Sequence, residues 1–543
     1  MIGGRGHPIS ILDSGSSRYH KFSARMSAII EGHFHKSVNR QAVSTSIAKR
    51  ELKMRLYLFC QCVAAGWFLT LVAVVDGAEP KQPNIVLILA DDLGYGDLAC
   101  FGHPRFKTPN LDRMAAEGAR LTHFNTPAPF CAPTRASLMT GRYPFRCGLS
   151  ANPAPDFGGQ YTELGLPMSE VTLADLFHGA GYATGMVGKW HLGHAKKEFY
   201  PVHRGFDEYL GILYSNDMRP VQLIDGEEVV EYPVVQATLT KRYTERALNF
   251  IERNKEKPFL LYFAHAMPHK PLAASEEFYN KSGNGLYGDV IAELDSSVGR
   301  VLAKLKELKL DNDTFVVFTS DNGPWFGGSS GGLRGMKGTS WEGGCRVPFI
   351  ARWPGKVFAG RVSNEPAVTM DLFATSLAIA GIAAPSDRVI DGADIRPLLT
   401  TTDAKSPHEV IVGVQGPRIA TVRDARWKLH VLAPNDRGFR PASGERWIDP
   451  RAPDGVTLLA PYEQYQPDDY PGASAGDAPK PLELFDLASD PGEKHDVASA
   501  NADVVERLKA KYDRLAAEFP ESAKNADAKR KQTKRQRDQK SAR

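Results

Sequence analysis

The sequence predicts an α/β protein: a mixed, mostly parallel sheet sandwiched by helices, followed by a smaller C-terminal α+β subdomain. Continuous apolar runs recur at residues 84–90 (NIVLILA), 259–264 (FLLYFA) and 315–318 (FVVF). Short runs without alternation describe strands buried on both faces, as the strands of parallel sheets are. Helical spacing lies between them: Val290, Leu294, Val298, Val301, Leu302 and Leu305 fall on one face of a helix over 290–308. Near residue 401 the texture changes. Strands are expected there at 410–414 and 420–432, then a stretch at 435–477 rich in Pro, Gly, Asp and Tyr, then a closing helix over 502–519.

The remaining elements follow the same alternation. A helix over 111–118 starts after Thr108-Pro109, Thr172 stands where it can cap a helix over 173–178, and a strand follows at 184–187. A hydrophobic share of 42% leaves ample material for a core. A net charge of +4 is small for 543 residues and gives no reason to expect a nucleic-acid partner.

The ends read differently. Residues 56–75 (LYLFCQCVAAGWFLTLVAVV) are almost wholly apolar, preceded by Lys49, Arg50, Lys53 and Arg55 and followed by Gly77 and Ala78. That order describes a secretory signal peptide cleaved near Gly77 or Ala78, with export to the periplasm or the medium. The run is also long enough to cross a bilayer, so a retained membrane anchor is the alternative. Met54 stands at the natural start of such a signal, which leaves 1–53 as an upstream extension or an unusually long leader. From Lys524 to Arg543 nine basic residues face two Asp with no apolar periodicity, the pattern of a disordered tail. The expected organisation is a leader at 1–78, a catalytic domain at 79–400, the subdomain at 401–520 and the basic tail at 521–543. Of six cysteines, Cys60 and Cys62 lie in the leader, leaving Cys100, Cys131, Cys147 and Cys345. If Cys131 is chemically special, at most one disulfide remains possible. No Cys-x-x-Cys pair or His-rich cluster suggests zinc.

The segment 131–142 (CAPTRASLMTGR) concentrates the chemistry. Pro133 reads as an N1 proline opening a helix. Cys131 then sits at the helix N-terminus, where the dipole and free N–H groups favour an anion, and Arg135 lies one turn along the same face. A buried structural cysteine is the plainer reading of one Cys before a helix. Asp91 and Asp92 directly follow the first strand, and Asp321 and Asn322 directly follow another. Carboxylates gathered at strand ends repel unless a hard cation neutralises them, although either pair alone reads as a turn or a cap. Further polar residues stand in Gly-Lys189-Trp-His191-Leu-Gly, Met-Pro-His269-Lys-Pro, Leu-Tyr-Ser215-Asn-Asp and Gly-Met-Lys337-Gly-Thr-Ser-Trp-Glu-Gly-Gly.

Segment 131–142 resembles the signature of the type I sulfatases, Cys-x-Pro-Ser/Thr/Ala-Arg followed by Leu-x-Thr-Gly-Arg, with Thr134 at the position more often serine. The other elements follow in the family's order over roughly residues 82–500, down to Leu484-Phe485-Asp486-Leu487 with Asp490-Pro491. The similarity is to arylsulfatase A-like and N-acetylgalactosamine-6-sulfatase-like members. It implies an alkaline phosphatase-like fold and hydrolysis of sulfate monoesters through a formylglycine hydrate and a sulfated-enzyme intermediate. Formylglycine would be made from Cys131 by a formylglycine-generating or anaerobic sulfatase-maturing enzyme. The resemblance places one Ca²⁺ on Asp91, Asp92, Asp321 and Asn322 together with residue 131. It assigns sulfuryl charge to Arg135, Lys189 and Lys337, substrate contact to Lys189, Ser215, His269 and Lys337, leaving-group protonation to His269 or Lys337, and the base to His191. Aryl sulfates are the expected artificial substrates and a sulfated glycan the natural one. The rivals are a phosphate- or phosphonate-ester hydrolase on the same fold and a sulfated-glycan binder without turnover. The intact signature around Cys131 speaks against both.

Overall fold

The apolar run of residues 84–90 becomes a strand with every residue buried, and the rest of the main sheet is arranged around it. The computed structural model describes residues 82–156, 158–435 and 470–518. The predicted leader, most of the 435–477 stretch and the basic tail lie outside the described residues. In chain order the strands are β1 (Asn84–Ala90), β2 (Ala119–Leu121), β3 (Phe124–Asn125), β4 (Ala183–Lys189), β5 (Glu208–Ile212), β6 (Leu223–Asp225), β7 (Glu228–Glu231), β8 (Phe259–Ala264), β9 (Thr314–Ser320), β10 (Phe349–Arg352), β11 (Arg361–Ser363), β12 (Ala367–Val368), β13 (Ile411–Gln415), β14 (Arg418–Arg423), β15 (Trp427–His430) and β16 (Glu483–Asp486). The longer helices are α1 (Pro109–Glu117), α2 (Cys131–Thr140), α3 (Leu173–Gly179), α4 (Leu239–Arg253), α5 (Gly285–Glu307), α6 (Asp371–Ala380) and α7 (Ala502–Ala517).

Ten strands form one sheet in the order β11-β2-β10-β9-β1-β8-β4-β5-β6-β7. Its centre, β9-β1-β8-β4-β5, is parallel, while β10, β6 and β7 join antiparallel toward the edges. Side chains alternate across a strand, so β1 feeds two cores. Ile85, Leu87 and Leu89 pack with residues of α2, α3 and α6, and Val86, Ile88 and Ala90 pack with residues of α1, α4 and α5. Helices therefore cover both faces, the arrangement that the unalternated apolar runs require.

A second, antiparallel sheet, β13-β14-β15-β16, makes the C-terminal part. Val412, Val414, Val422, Leu429 and Leu484 from it, with Leu508 of α7, share one apolar cluster with Tyr143, Phe145, Val368 and Met370 of the main body.

Several expected boundaries shift for identifiable reasons. The strand expected at 420–432 is a hairpin, because Asp424 Oδ1 accepts from the N–H groups of Arg426 and Trp427 at 2.8 and 2.7 Å and turns the chain. Helix α2 begins at Cys131, so Pro133 is its third residue and does not open it. Thr172 does cap α3, and reciprocally: its hydroxyl accepts from Asp175 N at 3.0 Å while Asp175 Oδ2 accepts from Thr172 N at 2.8 Å. Cys100, Cys131, Cys147 and Cys345 are all free thiols, within the expected limit of one disulfide. Among the described residues, no helix is long and apolar enough to cross a membrane.

The approach to β13 carries a titratable clasp. His408 Nε2 lies 2.7 Å from Asp371 Oδ1 at the start of α6, and that buried carboxylate also accepts from Val368 N and Ala393 N at 2.8 and 2.9 Å. Burial disfavours the imidazolium, but the Asp371 hydrogen bond and charge outweigh it and raise the His408 pKa above its ordinary value. A raised folded-state pKa gives stability that is complete below the unfolded value and is lost as pH rises through the folded one. His408→Gln is therefore expected to destabilise the protein by about 1.5–3 kcal/mol at mildly acidic pH, the range for a hydrogen bond to a charged group. The deficit should shrink in alkaline solution. Denaturant unfolding of parent and variant across pH checks this, and a deficit independent of pH contradicts it.

Candidate active site

The parallel register brings the polar strand ends together. Ala90 of β1 lies opposite Ser320 of β9, so Asp91 and Asp321 leave the sheet side by side. Asp92 adopts a left-handed backbone with φ of 62°, a strained turn of the kind that clusters at functional sites. Its N–H donates to Asp321 Oδ1 at 3.2 Å, and its Oδ1 accepts from Asn322 Nδ2 at 2.7 Å. Ser320 ties the two turns, accepting from Leu93 N and donating to Asn322 O, each at 3.0 Å.

Cys131, the first residue of α2, points into this group. Its Sγ is 3.5 Å from Asp91 Oδ1 and 3.4 Å from Lys337 Nζ. Phe130 offers no side-chain cap, and Asn152 Oδ1 takes that part by accepting from Ala132 N at 3.0 Å. One ligand atom each from Asp91, Asp92, Cys131 and His269 lies within 4.8 Å of all the others, and all four residues are buried.

Lysines and a histidine close the other side. Lys337 Nζ contacts both oxygens of Asp92, at 2.7 and 2.8 Å. Lys189 pairs with Asp91 and donates to Ser215 Oγ at 3.1 Å. Lys189 leaves β4 directly after Gly188, whose φ of 109° and closeness to Ala264 O exclude any side chain there. Ser215 Oγ is 3.2 Å from His269 Nε2, which is 3.6 Å from Asp92 Oδ2. His269 Nδ1 donates to Lys270 O at 2.6 Å, which fixes the tautomer and turns Nε2 toward the site.

Two placements bear on the expected roles. Arg135, expected to offset charge on the sulfuryl oxygens, has its guanidinium engaged with groups of the site itself. Nε and one terminal nitrogen contact Asp321 Oδ2 at 2.9 and 2.8 Å, and the other terminal nitrogen donates to Lys189 O at 2.6 Å. Buried beside Asp321 and Asp91, Arg135 balances the charge of both carboxylates. His191 bonds Pro153 O at 3.1 Å through Nε2 and none of the other predicted site residues. Its Nδ1 is buried without a hydrogen-bond partner among the described residues. Asn152, Ser320 and the Pro153 carbonyl were not anticipated. Asn152-Pro153 reads only as a turn, and nothing in its spacing links it to Cys131.

Charge sets the state of each group. Burial, with Asp321 adding to it, pushes the Asp91 carboxyl up to about 7, and burial raises Asp92 despite Lys337. Asp321 goes the other way: burial opposes its charge, but Arg135, Lys189 and Lys337 outweigh that and hold its pKa down. Burial pushes the Cys131 thiol far up, so it is a poor source of thiolate. Burial also opposes the Lys337 ammonium, yet Asp92 keeps it protonated. Burial and neighbouring lysines hold His191 and His269 neutral.

These residues fit a hard divalent cation. The donors are carboxylate and amide oxygens, and Asn322 Oδ1 is buried with no hydrogen-bond partner among the described residues because its amide nitrogen makes the bonds to Asp92 and Gly323. A cation among Asp91, Asp92, Asp321 and Asn322 would offset the desolvation that raises the first two.

The family model described as Sulfatase matches residues 83–382. The chain belongs to the sulfatase family. N-acetylgalactosamine-6-sulfatase of Canis lupus familiaris is 38% identical over 476 residues, covering 82% of this chain and 88% of the relative. Arylsulfatase A of Homo sapiens is 38% identical over 483 residues, covering 81% and 89%. A solved sulfatase structure, reported with the metabolism of multiple glycosaminoglycans by Bacteroides thetaiotaomicron, superposes with a TM-score of 0.66 at 27% identity, covering 80% of this chain and 99% of that one. This sulfatase is thus an enzyme that hydrolyses sulfate esters on an alkaline phosphatase-like fold, with its polar cluster at the expected strand ends.

If the four oxygen-bearing residues hold one cation, Asp91→Asn, Asp92→Asn, Asp321→Asn and Asn322→Ala should each weaken calcium binding by about tenfold or more. Titration calorimetry on chelator-treated protein measures this without reference to turnover. Unchanged affinity in all four variants would remove the assignment.

Proposed function

We propose that this sulfatase is exported and removes sulfate from a sulfated carbohydrate, using formylglycine made from Cys131 and one calcium ion held by Asp91, Asp92, Asp321 and Asn322. The observation that carries this reading is the Lys337 ammonium, 3.4 Å from Cys131 Sγ and in contact with Asp92. A buried thiol in such surroundings is a poor nucleophile as it stands, whereas the same position suits an oxygen nucleophile. When present, the cation supplies Lewis acidity and the formylglycine supplies a hydrated aldehyde oxygen. Relatives named for N-acetylgalactosamine 6-sulfate and a neighbour reported with glycosaminoglycan metabolism support a sugar substrate. Export rests on the basic flank and apolar run of residues 56–75. A formylglycine-generating or anaerobic sulfatase-maturing enzyme is the implied partner.

The chain's own residues divide the work. Lys189, Ser215 and His269 line one side of the site and Lys337 the other, so the two ammonium groups can meet the oxygens of a sulfuryl group in a buried pocket. Arg135 holds Asp321 in place. Lys337 carries a proton at Nζ in the resting site and delivers it to the departing alcohol oxygen as the S–O bond breaks, which leaves a neutral amine to be reprotonated afterwards. His269, neutral with Nε2 facing inward, orients Ser215 and receives its hydroxyl hydrogen bond. His191 keeps a bare Nδ1 as the proton acceptor for sulfate release.

Peptide mass spectrometry of active protein should show formylglycine at position 131. Full turnover by protein carrying only cysteine there would contradict the mechanism. The proton donor is tested through the leaving group. A sugar alkoxide leaves poorly without a proton and a nitrophenolate leaves readily, and general acid catalysis contributes ~10²–10⁴-fold where protonation matters. Lys337→Ala should therefore depress kcat/KM for a sugar sulfate much more than for nitrophenyl sulfate, with a smaller and more even loss in His269→Ala. The reverse pattern would move the proton to His269, and unchanged ratios in both would point to His191.

A further inference from the structure

Lys337 reaches Cys131 from an irregular loop, residues 334–341, between β9 and β10. On its inner side this loop is tied to the main body, with Lys337 N donating to Pro324 O at 3.1 Å and Gly338 N to Pro129 O at 2.9 Å. Its outer side faces the C-terminal sheet. Lys428 Nζ of β15 donates to Ser340 O at 2.9 Å and to Glu342 Oε1 at 3.0 Å, and pairs with Glu493 Oε1 at 3.0 Å. Glu493 Oε1 also accepts from His430 Nε2 at 2.7 Å, and its other oxygen accepts from Glu342 N. Glu342 Oε2 takes Arg346 at 2.6 Å and Arg423 of β14 at 3.0 Å, and Arg423 reaches on to Asn125 Oδ1 at 2.8 Å. Trp341 is held between the Arg334 guanidinium, 3.8 Å from its ring centre, and the His430 ring at 4.6 Å. The same sheet bonds the lead-in to Cys131 through Val414 N and Pro127 O at 2.7 Å.

Docking alone does not call for this network. The apolar cluster of Val412, Val414, Leu429 and Leu484 on Tyr143 and Met370 already attaches the sheet, and burying Glu342 and Glu493 completely costs desolvation that such contacts avoid. Ion pairs with several fixed partners add direction, which apolar contacts lack. They converge on the loop that carries Lys337 and on the segment that leads to Cys131.

We propose that Glu493 and Lys428 are positioning residues: through Glu342, Ser340 and Trp341 they hold the Lys337 ammonium at its distance from residue 131, making the C-terminal sheet part of the catalytic apparatus. The inference rests on the reading of Lys337 as proton donor. A double-mutant cycle on formylglycine-titrated protein, with a sugar sulfate as substrate, tests it. Glu493→Gln, which keeps the size but removes the charge and turns one of the two accepting oxygens into a donor, should lower kcat by about tenfold and change KM by less than about twofold. In a Lys337→Ala background the same substitution should lower kcat by less than about twofold, because the group it positions is gone. Equal losses in the two backgrounds, or no loss in the parent, would overturn the proposal. Unchanged kcat in Lys337→Ala alone would instead remove the reading of Lys337 and this inference with it. Should Glu493→Gln not fold, Arg423→Lys, which keeps the charge and shortens the reach, enters the same cycle with the same expected and overturning results.

Discussion

Everything at this site follows from burying three carboxylates at the ends of two neighbouring parallel strands. Asp91 and Asp92 follow β1, Asp321 follows β9, and all three are cut off from solvent. Uncompensated, such a group is untenable, so its surroundings are dictated: Arg135 beside Asp321, Lys189 beside Asp91, Lys337 beside Asp92. Each cation comes from a different part of the chain, and each is held by structure whose evident purpose is to deliver it. Helix α2 starts at Cys131 and brings Arg135 one turn along. Strand β4 ends on Lys189, directly after Gly188, which admits the backbone of β8 at Ala264. The 334–341 loop is clamped from both sides around Lys337.

The fold was legible because its signals are local and strong. Buried parallel strands must be apolar throughout, and the runs of β1, β8 and β9 are that in one dimension as in three. The C-terminal hairpin was less legible because β14 and β15 are joined by a turn built from one Asp424 side chain, in a stretch with neither Gly nor Pro to announce it. The site divides in the same way. The motif residues Asp91, Asp92, Cys131, Lys189, Ser215, His269, Asp321, Asn322 and Lys337 come together in space, while His191 bonds none of them. Asn152 and Ser320 were not found, since each acts by accepting from a backbone N–H remote in sequence, Ala132 N for Asn152 and Leu93 N for Ser320. The partner of Arg135 was not legible for a related reason. Spacing on a helix places a side chain on a face but does not say which buried acid waits there. Of the network of Glu342, Lys428 and Glu493 only Glu342 stands in a recognised motif, that of Lys337; its partners were not legible because they lie 86 and 151 residues further on and belong to no periodic pattern.

The balance of charge explains why cation and substrate belong together in such a site. Asp91, Asp92 and Asp321 bring three negative charges, and Arg135, Lys189 and Lys337 bring three positive ones. The protein groups alone are therefore near neutral and offer an anion no net attraction. Burial, with Asp321 adding to it, still pushes the Asp91 carboxyl up to about 7, because a dry pocket disfavours its charge even beside Lys189 and Arg135. On the proposed reading, a divalent cation among Asp91, Asp92, Asp321 and Asn322 would leave the cluster with an excess of positive charge and so favour an anionic sulfate ester. Lys189 and Lys337, which balance Asp91 and Asp92, would then be available to the ester oxygens, so that one set of side chains would serve both to make a buried acid cluster tolerable and to bind the anion.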